Sequence, residues 1–171
     1  MIVWLNGTFG AGKTSTANEL IPLIPGARYF DPEQVGMMLQ TVSDMPPVGD
    51  FQHWNPWRAL VVETAVRLLD YLGGVLVMPQ TVLVEEYWRE IHAGLGKAGI
   101  PLHHFVLHTD QATLARRIKG DSATISGWRL DHLPVYEDAF PWLSREGRVV
   151  DTTELQPAEV ARIVAAGVGH A

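Results

Sequence analysis

The stretch Ile2-Val3-Trp4-Leu5-Asn6-Gly7-Thr8-Phe9-Gly10-Ala11-Gly12-Lys13-Thr14 decides how this chain is read. Four consecutive apolar residues without polar alternation are the mark of a short strand buried on both faces. Asn6 and Gly7 end it, and Gly-x-x-x-x-Gly-Lys-Thr follows at once. Glycines at 7, 10 and 12 let the backbone pass through positive φ and bring its N–H groups close around phosphate oxygens. Lys13 then sets a cation against β- and γ-phosphates, Thr14 offers a hydroxyl to Mg²⁺, and the helix opening there adds the positive end of its dipole. Gly7, Thr8, Phe9, Gly10, Ala11, Gly12, Lys13, Thr14 and Ser15 are therefore expected to hold a nucleotide. Lys13 is one of only three lysines in the chain.

Outward from this loop, apolar runs of four to seven residues alternate with longer stretches of helical periodicity, the pattern of a parallel sheet covered on both faces. Strands are predicted at Ile2–Leu5, Arg28–Phe30, Gly74–Met78, Leu102–Leu107 and Arg148–Val150. Helices are predicted at Lys13–Leu23, Glu33–Gln40, Trp57–Tyr71, Glu86–Ala98, Gln111–Lys119 and Ala158–Ala166. Asp110 is placed to cap the fifth helix, and Pro157 suits the first turn of the last. Two segments break the alternation: Thr41–Pro56, rich in Pro, Asp, Gly and aromatics, and Gly120–Pro134, rich in Gly, Ser, Arg and Asp. Long connections in compact domains are usually functional, so the first is expected as an acceptor-side loop (41–56) and the second as a lid (120–134).

With 171 residues, 47% of them hydrophobic, the chain can bury enough surface for one compact domain. It has no cysteine, which excludes disulfide frameworks, thiolate metal sites and cysteine nucleophiles. The net charge of −6, with thirteen dispersed Lys and Arg, argues against nucleic acid as the main partner. No basic leader precedes the first apolar run, and Val75–Val84 is broken by Pro79 and Gln80 well short of the ~20 residues a spanning helix needs. A cytoplasmic protein is expected.

What happens to the phosphate depends on the other strand ends. Asp31, ending the second strand, is positioned to take a proton from an acceptor hydroxyl or to help hold Mg²⁺ through water; before Pro32-Glu33 it is equally a helix cap. The third strand ends in Met78-Pro79-Gln80-Thr81, with no carboxylate for Mg²⁺, which argues against an energy-transducing ATPase or a switch GTPase. Thr14 is left as the candidate metal ligand, and Gln80 as a contact to the acceptor. Arg116 and Arg117 follow the fourth strand, and Arg129 lies in the expected lid, where closure would bring guanidinium onto transferring phosphate; a solvated helix face is the alternative for the first two. Arg58 is a candidate acceptor-side cation. Trp54 and Trp57 are either stacking platforms or core anchors, and the helix start favours core for Trp57. His103, His104 and His108 sit along one regular strand and cannot share a metal.

Read together, these pieces resemble the bacterial tunicamycin-resistance protein family. The opening Met1–Thr14, Phe30-Asp31-Pro32-Glu33-Gln34-Val35-Gly36, Asp50-Phe51-Gln52 with Trp57-Arg58, Val77–Thr81 and His103-His104-Phe105 carry the resemblance, which covers about the first 120 residues. It implies a three-layer α/β P-loop fold with a five-stranded parallel sheet, like that of nucleotide and shikimate kinases. It also implies ATP with Mg²⁺ at Gly7–Ser15, and protection against tunicamycin, a uracil-containing nucleoside antibiotic with a fatty acyl tail. By analogy with kinases of this fold, Arg117 looks like the arginine beside adenine, and Thr152 and Thr153 like the loop that borders the base. Family members can carry a further C-terminal amphipathic segment associated with the membrane; membrane attachment is not expected here.

The resulting expectation is an ATP-dependent small-molecule phosphotransferase. Lys13 and Arg129 act on phosphate, Asp31 is the general base, and Asp31, Trp54, Arg58 and Gln80 face the acceptor. Two readings stand beside it: a non-catalytic protein that sequesters the drug in an ATP-dependent way, and a housekeeping sugar or nucleoside kinase.

Overall fold

The computed structural model describes residues 1–121 and 126–169. Five strands, β1 (Ile2–Asn6), β2 (Ala27–Tyr29), β3 (Val75–Pro79), β4 (Leu102–His108) and β5 (Arg148–Asp151), form one sheet in the order β2-β3-β1-β4-β5, every pairing parallel. Each lies within one residue of its expected bounds. Around the sheet run α1 (Lys13–Leu20), α2 (Glu33–Gln40), α3 (Asn55–Leu72), α4 (Glu85–Lys97), α5 (Gln111–Gly120), α6 (Ser126–Glu146) and α7 (Pro157–Val168). The chain is thus an α/β protein with the expected five-stranded parallel sheet.

β1 is central and wholly buried, and its neighbours β3 and β4 carry the chain to opposite sides of the sheet. A crevice opens at the carboxyl ends of the strands where the order diverges, and the loop after β1 enters it. Trp4 fills the sheet interior edge-on to Trp88 of α4, with ring centroids 5.3 Å apart, and its indole donates to the Gln80 carbonyl at 3.1 Å. That bond ties the ends of β1 and β3 together.

The expected lid is corrected by α6. Residues 122–125 lie outside the described residues, but from Ser126 the segment is a 21-residue helix that runs past Pro134 and Pro141. Each proline removes a backbone donor and crowds the preceding turn, at about 3 kcal/mol, so a sequence reading stops there. Burial outweighs this: Leu133, Tyr136, Ala139, Trp142 and Leu143 recur at helical spacing and are all buried. Arg129 is therefore on a helix, one turn from its start, and not on a loop.

The acceptor-side loop is pinned at several points. Asp50 caps a 3₁₀ turn at Phe51–His53, accepting from the Gln52 N–H at 2.9 Å. The Phe51 ring packs so closely over Gly36 of α2 that a Cβ there would sit 2.6 Å from it. Trp54 is buried and donates from its indole to the Pro46 carbonyl at 2.9 Å. Trp57 is fully buried, as expected, and bonds the Pro32 carbonyl at 3.0 Å.

Candidate functional site

The loop between β1 and α1 forms a cradle. Gly7, Gly10 and Gly12 adopt φ of 127°, 79° and 90°. A side chain at Gly7 would run into the Leu107 carbonyl of β4, whereas at Gly12 it would meet nothing nearer than Thr16 Oγ1 at 4.0 Å. Gly12 also begins α1 without a side-chain cap, so the first N–H groups of that helix face outward with no internal acceptor. Two side chains hold the cradle against the neighbouring strand end. Asn6 Oδ1 accepts from the N–H groups of Gly7 and Val82 at 2.8 and 2.9 Å, and Thr81 Oγ donates to the Gly7 carbonyl at 2.8 Å.

Above the cradle lies a cavity of about 470 Å³, lined by Phe9 to Thr16 and by Arg117, Asp121, Arg129, Thr152 and residues 155–157 and 160. Its dimensions, its glycine cradle and its uncapped helix suit a nucleoside triphosphate. Arg117 is fixed at one end: it donates to the Thr152 hydroxyl and carbonyl at 3.2 and 2.8 Å and to the Gly10 carbonyl at 3.4 Å. Arg117 and Thr152 thus pair with each other, and both line the cavity. Arg116 instead turns back to the Thr113 hydroxyl at 3.1 Å on its own helix. Thr14 lines the cavity.

Lys13 Nζ donates to the Thr8 carbonyl at 2.9 Å. Burial lowers its pKa from the usual 10.5 to about 8; the Glu33 carboxylate works against this fall and the Arg129 guanidinium with it. A phosphate ligand favours the charged lysine, so nucleotide affinity is expected to be flat below pH 8 and to fall above it. Titration calorimetry of ATP at pH 7 and pH 9 checks this: one pH unit beyond the lysine pKa, an affinity ~10-fold weaker is expected, and equal affinities would remove Lys13 from the phosphate site.

A second cavity, about 220 Å³, adjoins the first, with Phe9 and Arg129 in the walls of both. Glu33, Gln40, residues 48–52, Gln80, Thr81, Trp128 and His132 complete its lining. Arg129 pairs with Asp121 at 2.5 Å and lies over the Phe9 ring, 5.7 Å from its centroid. Phe9, Trp128 and His132 pack together in tilted and edge-on contacts, with centroids 4.3 to 5.3 Å apart. Gln80 is 3% exposed and fixed at the end of β3, and its side-chain Nε2 donates to the Thr81 carbonyl at 3.1 Å.

Of the residues singled out for the acceptor, Gln80 alone lines this cavity. Asp31 lines neither; its carboxylate accepts from the Glu33 N–H at 3.0 Å and from Gln34 Nε2 at 3.2 Å, the geometry of a helix-start cap. Trp54 is a loop anchor. Arg58 is buried and committed: Nε meets Glu90 at 2.5 Å, Nη1 the Gln52 carbonyl at 2.6 Å, and the guanidinium lies 4.1 Å from the Tyr87 ring centre. It fastens the acceptor-side loop to α4 and does not face the cavity. Arg58→Met is expected to lower stability by about 2 kcal/mol, since the Gln52 carbonyl and Glu90 both lose a donor; chemical denaturation measures it, and an unchanged midpoint would remove that structural role.

Glu33 is the residue that sequence reasoning passed over. Partial burial of its carboxyl and the neighbouring Asp31 charge raise its pKa, against the pull of Lys13 and Arg129. The available signal was its place two residues beyond Asp31, on the first turn of a helix that opens at the same sheet edge as the phosphate loop.

No family model matches the sequence, and no curated protein matches it. Among solved structures, the Deinococcus radiodurans tunicamycin resistance protein superposes with a TM-score of 0.74 at 27% identity, covering 98% of this chain and 95% of that one. A sugar kinase from Janibacter sp. superposes with a TM-score of 0.74 at 14% identity, covering 98% and 94% of the two chains. A gluconokinase from Sinorhizobium meliloti gives 0.70 at 20% identity, covering 98% and 91%. The two kinases share the fold. With the Deinococcus protein the likeness extends along the whole chain, well past the 120 residues whose motifs suggested it. The chain resembles the tunicamycin-resistance proteins in its fold as well as in its sequence.

Proposed function

We propose that the chain is an ATP-dependent phosphotransferase acting in the cytoplasm on a small hydroxyl-bearing acceptor, with tunicamycin the first acceptor to test because of the Deinococcus relative. The observation that carries this reading is the junction of two cavities at Phe9 and Arg129, one with a phosphate cradle and one without. Transfer between two bound molecules needs that junction, because the reacting oxygens must lie within a few ångströms of one another.

ATP with Mg²⁺ would supply the phosphoryl group. The N–H groups at Gly10, Gly12 and Lys13 and the Lys13 ammonium would hold its phosphates, Thr14 would hold the metal, and Arg117 with Thr152 would border the base. Arg129 offers its charge where the equatorial oxygens gather negative charge in transfer. Glu33 replaces Asp31 as the group that receives the acceptor hydroxyl proton: it borders the second cavity, whereas both Asp31 oxygens are engaged by the start of α2. The raised pKa of Glu33 makes it a better proton acceptor than an ordinary carboxylate.

One observation favours the sequestration reading. Gln80, not a carboxylate, follows β3, so that strand end offers no acidic group to a metal. The protein incubated with ATP, Mg²⁺ and tunicamycin, followed by mass spectrometry of the drug, separates the readings. Phosphorylated drug supports the transferase, and unmodified drug retained only with ATP supports sequestration. Phosphate appearing only on control sugars or uridine points to a housekeeping kinase.

A further inference from the structure

We infer that the second cavity takes a hydroxyl compound carrying no negative charge, uncharged or amine-bearing, and turns carboxylates and phosphates away. This rests on the reading of that cavity as the acceptor site, but not on transfer taking place.

The charges in the cavity wall are unevenly distributed. Glu33 and Asp50 both line it, and among the described residues neither forms an ion pair. The Asp50 oxygens accept from Gln52, through its N–H at 2.9 Å and its amide at 3.3 Å, both neutral donors. The two carboxylates influence each other, since Asp50 is among the groups raising the Glu33 pKa.

Among the described residues Arg129 is the only Lys or Arg lining this cavity, and it is already engaged by Asp121, by the Phe9 face and by its place on the phosphate cavity. Arg58, behind Gln52, is neutralised by Glu90. Residues 122–125, Ser-Ala-Thr-Ile, carry no charge in their sequence. Lys13 and Arg129, the two cations that act on Glu33, both line the phosphate cavity, so an anionic acceptor would meet two carboxylates with no cation reserved for it.

The remaining polar groups are neutral. Gln80 Oε1 is buried and has no donor among the described residues. Its amide orientation follows from Nε2 donating to the Thr81 carbonyl, because the flipped amide would set two oxygens against each other. Gln80 thus lines the cavity without adding charge to its wall. Phe9, Trp128 and His132 add flat faces suited to the C–H side of a sugar or to a base.

The test is calorimetric binding in Mg²⁺ with a saturating non-hydrolysable ATP analogue. Glucose, glucosamine and glucuronate share a ring and differ in charge, and uridine with its 5′-phosphate forms a second set. In at least one set the uncharged or amine-bearing member is expected to bind ~10-fold or more tightly than its anionic counterpart. Asp50→Asn and Glu33→Gln are each expected to narrow that gap. Anionic members binding as well as the others, a gap unchanged in both variants, or no binding by any of the five compounds overturns the inference. Transfer from ATP is assayed separately, so charge discrimination without product would remove the phosphotransferase and leave this inference standing.

Discussion

Lys13→Ala is expected to abolish detectable ATP binding while leaving the protein folded. The lysine is the cation of the cradle, and charge-assisted contacts to phosphate in a partly water-excluded site are worth several times an ordinary hydrogen bond. A loss of ~10²-fold or more in affinity is therefore expected, with transfer falling at least as far. The fold tolerates the change because burial of the ammonium opposes folding instead of favouring it. The Lys13 pKa falls from 10.5 to about 8 on folding, so between those values the unfolded chain holds more protons than the folded one. Wild-type stability therefore rises with pH across that window, and the alanine variant is expected to lose this rise. Thermal melts with and without MgATP, at pH 7.5 and 9.5, test both halves. A variant still stabilised by MgATP as strongly as the wild type would defeat the nucleotide-site assignment.

Glu33→Gln is expected to lower phosphoryl transfer by ~10²-fold or more while ATP affinity stays within a few-fold of wild type, because the amide keeps the shape and loses the proton-accepting charge. Asp31→Asn serves as its partner experiment. Its oxygens accept from the start of α2, so the amide is expected to weaken the cap by ~1 kcal/mol or less and to leave turnover nearly intact. The proton-accepting role would return to Asp31 if steady-state assays showed the reverse order of damage.

The two carboxylates illustrate where sequence reading stops. Asp31-Pro32-Glu33 at the end of a strand announces a carboxylate beside the phosphate loop, and it does so from local rules alone. Which of the two faces the cavity depends on how α2 leaves the sheet, and Pro32, Gly36 and the ring of Phe51 settle that exit. Arg58 makes the same point for a cation. In the sequence it stands next to an aromatic cluster, a good place for ligand binding, yet Glu90 on α4, 32 positions away, claims it. α6 was hidden for a different reason. Pro134 and Pro141 are local stop signals, and only the apolar face that α6 lays against β4 and α5 overrides them.

The sequence by itself determined the parallel sheet and the glycine cradle that follows its first strand. Their causes are short-range: a buried strand is an apolar run, a cradle needs glycine where φ is positive, and Lys13 and Thr14 follow within two residues. Only the tertiary structure decided which charged groups border the second cavity. An ionisable side chain goes wherever a partner meets its charge or water solvates it, and partners from distant elements meet only after the sheet has assembled.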